Sequence, residues 1–235
     1  MGIALSRLLR YNRETNSRPE GDCPLFVPNK PCPGAPPRFL ERWNATMIDL
    51  ILLAAGPARL EEEALLAPGQ GGKPLYRHVF EAARQTADAM LGLRVLVVTR
   101  PNVLDEAIRE FGFNKVVVSG SLNMSHAMIA GAKAARSGAS RCFLACGQTE
   151  VTGEILTGFL QGYILSGRTL GRVRSGRAQE GPMVFAPYLL PHLLALKGEE
   201  DGSALFQGRE GRTFFYEADR RGAEEAEDSG AAHRE

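Results

Sequence analysis

Four cysteines, Cys23, Cys32, Cys142 and Cys146, occur in 235 residues, and no two form a C-x-x-C pair. With only four histidines beside them, no set of zinc-ligand spacing can be assembled, so a structural metal is not expected. Cys142 and Cys146 lie in an apolar run, where cysteine acts as a small hydrophobe. Cys23 and Cys32 could pair in principle, but usage this sparse fits free thiols in a cytoplasmic chain better. Net charge is lacking too. Lys and Arg number 28 against 27 Asp and Glu, leaving +1 and no general attraction to nucleic acid or acidic lipid. No apolar run approaches the roughly 18 residues that cross a bilayer. Two nucleotide fingerprints are missing as well. GQGGKP at 69–74 resembles a Walker loop, but Ala67 stands at its first glycine position and Lys73 is followed by Pro74. No G-x-G-x-x-G follows the first strand, because Gly56 runs into PARLEEE; this argues against a dinucleotide site of the usual kind.

What is present is one short apolar run that organises the rest. Ile48 to Gly56 reads IDLILLAAG and is closed by Pro57, the pattern of a strand buried on both faces. The turn after such a strand is where α/β sheets bind small molecules, and here it is built from Ala54, Ala55 and Gly56. Small side chains let a ligand reach the backbone N–H groups. From Met47 onward strands and helices alternate. Strands are expected at Arg94–Thr99, Lys115–Ser119, around Cys142–Ala145, at Met183–Phe185 and at Thr213–Glu217. Helices are expected at Leu75–Ala89, Val103–Phe111, Ser125–Ala135, Thr152–Leu165 and Tyr188–Leu196. Thr152 is positioned to cap its helix. The alternation predicts parallel strands with helices on both faces. After Gly167 the rhythm loosens. Asp49, on the first strand, is expected to find local donors, and Glu61, Glu62 and Glu63 read as a solvated helix face.

Residues 1–46 differ in kind. They hold seven of the 14 prolines, concentrated in RPEGDCPLFVPNKPCPGAPPRF, which reads as an extended, poorly ordered arm. MGIALS fits the short myristoylation pattern, and Arg7, Arg10 and Arg13 give a faint likeness to a targeting peptide without an apolar core or cleavage site. The simpler expectation is an arm without a catalytic role; Met47, directly before the strand, is an alternative start of translation. The expected division is therefore an arm at 1–46, a domain at 47–217 and a polar tail at 218–235.

A family resemblance rests on five segments in order: LLAAG at 52–56, GGKPLYRHVFEAA at 71–83, LVVTR at 96–100, SHAMIAGAKAA at 125–135 and GPMVF at 181–185. Together they resemble the nucleotidyltransferases that build molybdenum cofactor dinucleotides, the cytidylyltransferase foremost and the guanylyltransferase as a cousin. The resemblance covers roughly residues 47–217. It implies a Rossmann-like, three-layer nucleotidyltransferase α/β fold with a mostly parallel central sheet. It also implies transfer of CMP from CTP to molybdopterin with release of pyrophosphate, assisted by Mg²⁺ in an active enzyme. The nucleotide seat it implies is Leu53, Ala54, Ala55, Gly56, Ser125, Gly147 and Gln148, with Arg59 at the position of the family's phosphate-gripping arginine.

The departures matter as much. After Gly56 the family's glycine falls on Glu61 and its lysine on Ala64. Its G-D-Q-P strand end has become Cys146-Gly147-Gln148-Thr149, with Gly147 at the metal-binding aspartate, so no metal ligand is identified. The family's late aspartate-rich segment is not recognisable in GAEEAEDSG at 222–230. Two functions stay open. One is a cytidylyltransferase-like enzyme of weakened chemistry. The other is a non-catalytic protein that binds nucleotide (CTP or GTP) or molybdopterin and serves the maturation of a molybdenum hydroxylase. A sugar-nucleotide transferase on the same fold is a weaker third reading, because it also needs the missing lysine and aspartate. No nucleic-acid or membrane partner is expected.

Overall fold

The structure, a computed structural model, describes residues 47–55, 62–68, 72–119, 123–174 and 181–218. Its first strand, β1 (Ile48–Leu53), is buried along almost its whole length, as an apolar run without alternation requires. The chain continues through α1 (Glu62–Leu66), α2 (Leu75–Ala89), β2 (Leu93–Thr99), α3 (Asp105–Glu110), β3 (Asn114–Val117), α4 (Met124–Ala134), β4 (Ser140–Ala145) and α5 (Gly153–Ser166). It ends with β5 (Leu170–Arg174), β6 (Met183–Phe185), α6 (Leu190–Leu194) and β7 (Thr213–Glu217). The strands form one sheet in the order β3-β2-β1-β4-β6-β5-β7. β1 pairs in parallel with β2 and β4, and β2 with β3. β6 runs antiparallel between β4 and β5, and β7 returns parallel to β5. The sheet is thus mostly parallel, with β6 as the exception.

Side chains alternate across the sheet and build a core on each face. Leu50, Leu52, Val95, Val97 and Leu144 pack with Phe80, Ile108, Leu156 and Phe159 from α2, α3 and α5. Ile51, Leu96, Val98, Phe143 and Phe185 pack with Ala127 and Met128 of α4 and Leu193 of α6. Three layers follow: helices, sheet, helices. Thr152 caps α5 by accepting from the Ile155 N–H at 3.3 Å, and Gly167 ends it in the left-handed region. The close seat of α4 depends on Gly131. A Cβ there would lie 2.4 Å from Ile51 Cγ2 and 3.1 Å from Val98 Cγ2, both on buried strands. Gly131→Ala gains helix propensity of about 1 kcal/mol but overpacks this contact by about 1–3 kcal/mol. We expect a net loss of about 1 kcal/mol in denaturant unfolding; a variant as stable as the parent would show that α4 is free to lift.

At the amino end of the sheet Asp49 is fully buried and held by donors distant in sequence rather than local ones. Arg94 Nη2 donates to Oδ2 at 2.7 Å, Arg136 Nε to Oδ1 at 2.7 Å, and the Arg136 backbone N–H to Oδ2 at 2.6 Å. Arg136 Nη2 also donates to the Gly92 and Ile48 carbonyls. Burial by itself would raise the Asp49 pKa, but the bonds from Arg94 and Arg136 outweigh it and hold the carboxyl below the usual carboxylate range. The cluster ties β1, β2 and the end of α4 together at the edge opposite the candidate site.

Candidate functional site

At the carboxyl edge of the sheet, β1 is followed by Ala54 and Ala55, both buried. The Ala54 N–H donates to the Val98 carbonyl at 2.9 Å, and Cys146 N–H donates to the Leu53 carbonyl at 3.0 Å. The small-residue segment is thereby clamped between β2 and β4 as it leaves the sheet. β4 then turns through Gly147 and Gln148, with the Gln148 N–H bonded to the Ala145 carbonyl at 3.1 Å and both residues half-buried. Ser125 reaches the same edge from the first turn of α4. It is 1% exposed, its backbone N–H donates to the Gly198 carbonyl at 3.2 Å, and its Oγ has no hydrogen-bond partner. So Leu53, Ala54, Ala55, Ser125, Gly147 and Gln148 all come to this one edge. Gly56 and Arg59 lie outside the described residues, as do Glu61 and the side chains of Glu62 and Glu63.

Two features of this edge were not anticipated from the sequence. Thr99 ends β2 fully buried, and its hydroxyl also has no hydrogen-bond partner. Its signal is a lone threonine closing LRVLVVT, a strand otherwise mostly apolar. The other is the loop Lys197–Ser203, laid against the start of α4 through the Ser125–Gly198 bond. There the Glu200 carboxylate accepts from the Lys197 N–H at 2.7 Å and Asp201 accepts from the Ser203 N–H at 2.9 Å. Glu199, Glu200 and Asp201 line a cavity of about 350 Å³ with Gly202, Ser203 and Ala204. These acids sit twenty-odd residues before GAEEAEDSG, in a stretch the sequence pattern leaves unmarked.

Among the described residues the β4 end carries little for phosphate or metal. The β4 end offers Ala145, Cys146, Gly147 and Gln148, none of them a carboxylate. Burial pushes the Cys146 thiol up to about 12, so the free thiol is protonated at neutral pH. Among the described residues no three His, Cys, Asp or Glu side chains come close enough to hold a metal ion. The residues present do not fit the divalent cation that the family pattern implies at β4. Ala64, at the family's lysine position, is half-buried on α1 beside the buried Leu65. Among the described residues no helix is long and apolar enough to cross a membrane.

Residues 50–213 match the family described as MobA-like NTP transferase domain. Among curated proteins none matches the sequence. Solved structures of similar fold include Rv0371c from Mycobacterium tuberculosis H37Rv, at 18% identity and TM-score 0.59, covering 74% of this chain and 88% of that one. Rv0371c has also been solved as a complex with manganese. A nucleotidyl transferase from Methanothermobacter thermautotroptrophicus matches at 20% identity and TM-score 0.57, covering 74% and 88%. A CMP:2-keto-3-deoxy-manno-octonic acid synthetase complexed with CTP matches at 15% identity and TM-score 0.53, covering 74% and 90%. At these identities the likeness is one of fold.

Proposed function

Because the chain belongs to the MobA-like NTP transferase domain family, we propose that it binds a pyrimidine nucleoside triphosphate, CTP foremost, at the carboxyl edge of the sheet. We further propose that it descends from the cytidylyltransferases acting on molybdopterin and has weakened transfer chemistry. The observation that carries the nucleotide seat is Ser125. A buried hydroxyl without a partner costs about 1–3 kcal/mol, a cost a fold keeps where a ligand completes the bond. The clamped backbone of Leu53–Ala55 supplies small-residue walls against which a base can lie. In the full reaction a phosphate oxygen of the acceptor bonds to the α-phosphorus while the bond from that phosphorus to the β-phosphate oxygen breaks, releasing pyrophosphate. Such a step needs positive charge on the leaving group. Gly147 and Ala64 provide no metal ligand and no cation, which favours binding over turnover. On this reading the protein holds nucleotide or molybdopterin for delivery to a molybdenum hydroxylase, in the cytoplasm.

Ser125→Ala tests the seat, because its two effects have opposite signs. Removing an unpartnered buried hydroxyl should leave the free protein as stable as the parent, or about 1 kcal/mol more stable. Losing one hydrogen bond should weaken CTP binding about 3–10-fold in calorimetric titration. Unchanged CTP affinity, or none in the parent, would remove the seat from this edge. Pyrophosphate release with molybdopterin, CTP and Mg²⁺ then separates the two readings: rapid release by the parent would restore the enzyme.

A further inference from the structure

Ser125 is closed off from solvent at 1% exposure, so a ligand reaches its unpartnered hydroxyl only when something laid over it moves. Among the described residues, the segment laid there is the loop Lys197–Ser203. The Gly198 carbonyl accepts from the Ser125 N–H at 3.2 Å. Gly202 is buried against Met128, one turn further along the same side of α4. A Cβ built on Gly202 would lie 3.4 Å from Met128 Cε and 3.2 Å from Phe185 Cζ. The loop thus runs along the first turn of α4. Buried Leu196 and Phe206 anchor its two ends, while Lys197, Gly198, Glu199 and Glu200 are exposed. It holds its own shape through the Glu200 carboxylate on the Lys197 N–H and Asp201 on the Ser203 N–H. Among the described residues no hydrogen bond besides that of Ser125 ties it to α4.

We propose that this loop is a lid on the nucleotide seat. Closed in the free protein, it lifts off the first turn of α4 and lets the ligand take both the Ser125 N–H and the Ser125 hydroxyl. The ligand's identity rests on the nucleotide reading above; the opening itself does not. The two polar groups of Ser125 account for the arrangement. With the lid closed, Gly198 satisfies the N–H and the hydroxyl is left without a partner. With the lid open, acceptors on the ligand serve both. A short exposed loop with a preformed shape and anchored ends opens far more readily than the fold around it. Gly198 sets the balance. Its φ is 54°, in the left-handed region, and a Cβ there would meet nothing within 4 Å. A side chain at this position therefore strains the closed backbone without a clash. Because only open molecules bind, apparent affinity rises with the open fraction.

The test is Gly198→Ala in the full chain, read by amide hydrogen exchange without nucleotide and by calorimetric titration with CTP. The Ser125 amide reports the lid directly, because the Gly198 carbonyl is its acceptor. In the parent it should exchange faster than the Leu52 amide in the buried strand β1. The variant should speed Ser125 exchange about fivefold and tighten CTP binding by about the same factor. Gly208→Ala is the control. Gly208 also holds a positive φ, 67°, with nothing within 4 Å of a Cβ, but it lies outside the loop. It should change neither reading. The lid would be overturned by a parent Ser125 amide as slow as Leu52, or by a Gly198→Ala variant with an unchanged Ser125 rate. Faster exchange in a variant that binds CTP no tighter than a CTP-binding parent, or equal effects from Gly208→Ala, would overturn it too. Exchange as expected with CTP bound by none of the proteins would remove the nucleotide seat and leave the opening loop standing.

Discussion

Replacing Asp49 by Asn is expected to lower the melting temperature at pH 7 by about 6–12 °C. The carboxylate is fully buried and accepts from Arg94, from Arg136 Nε and from the Arg136 backbone. Removing one partner from a buried ion cluster costs about 3–5 kcal/mol, since the remaining charges lose their counter-ion. Arg94 and Arg136 are each about 30% exposed and recover some hydration, so the lower end, about 3 kcal/mol, is the better figure. For a domain of this size each kcal/mol moves the midpoint by about 2–4 °C. The sign with pH follows from the depressed Asp49 pKa. The carboxylate's contribution is complete above its unfolded value near 3.9 and is lost as pH falls through the lower, folded value. The gap between parent and variant should therefore be widest at neutral pH and close in strongly acidic solution. Thermal melts of both proteins from pH 7 to pH 2 check this. Equal midpoints at pH 7 would mean that the cluster contributes no net stability.

The second large effect is a gain of function at the opposite edge. Gly147→Asp combined with Ala64→Lys should make CTP binding depend on Mg²⁺, tightening at least tenfold when the ion is added, where the parent shows little response. Gly147 is not among the glycines held at positive φ, so an aspartate fits its backbone. It is half-buried at the end of β4, beside the strand that leads into Leu53–Ala55. There a carboxylate supplies the hard oxygen that Mg²⁺ takes together with substrate phosphates. A lysine at Ala64 supplies a compact cation for the triphosphate. Glu61→Gly would be added to remove an acid that aligns with a family glycine. Calorimetry with and without Mg²⁺, on parent and variant, reads the outcome. Tight Mg²⁺-dependent binding by the parent would show that its metal ligands have moved elsewhere. A folded triple variant that binds no CTP would show that the pocket has changed purpose.

By itself the sequence determined the local elements. Leu75–Ala89, Met183–Phe185 and Thr213–Glu217 have the bounds their periodicity predicts. The ordered segments from LLAAG to GPMVF pointed to the family that residues 50–213 match. Helix and strand periods are written in neighbouring residues, and a buried parallel strand announces itself by an unbroken apolar run. β5 escaped because Gly171, Arg172 and Arg174 break up the unbroken apolar run that marks a buried strand. The expected helix Tyr188–Leu196 divides into a 3-10 turn, Pro187–Leu189, and α6, with Pro191 in the first turn of α6, where its missing N–H costs nothing. Tertiary structure alone decided which distant groups meet. It paired Asp49 with Arg94 and Arg136, reversed β6 between β4 and β5, and set Gly198 against Ser125. It also left the hydroxyls of Thr99 and Ser125 buried without partners. Contacts of this kind depend on strand order and on the seat of a helix across the sheet, and no window of neighbouring residues contains them.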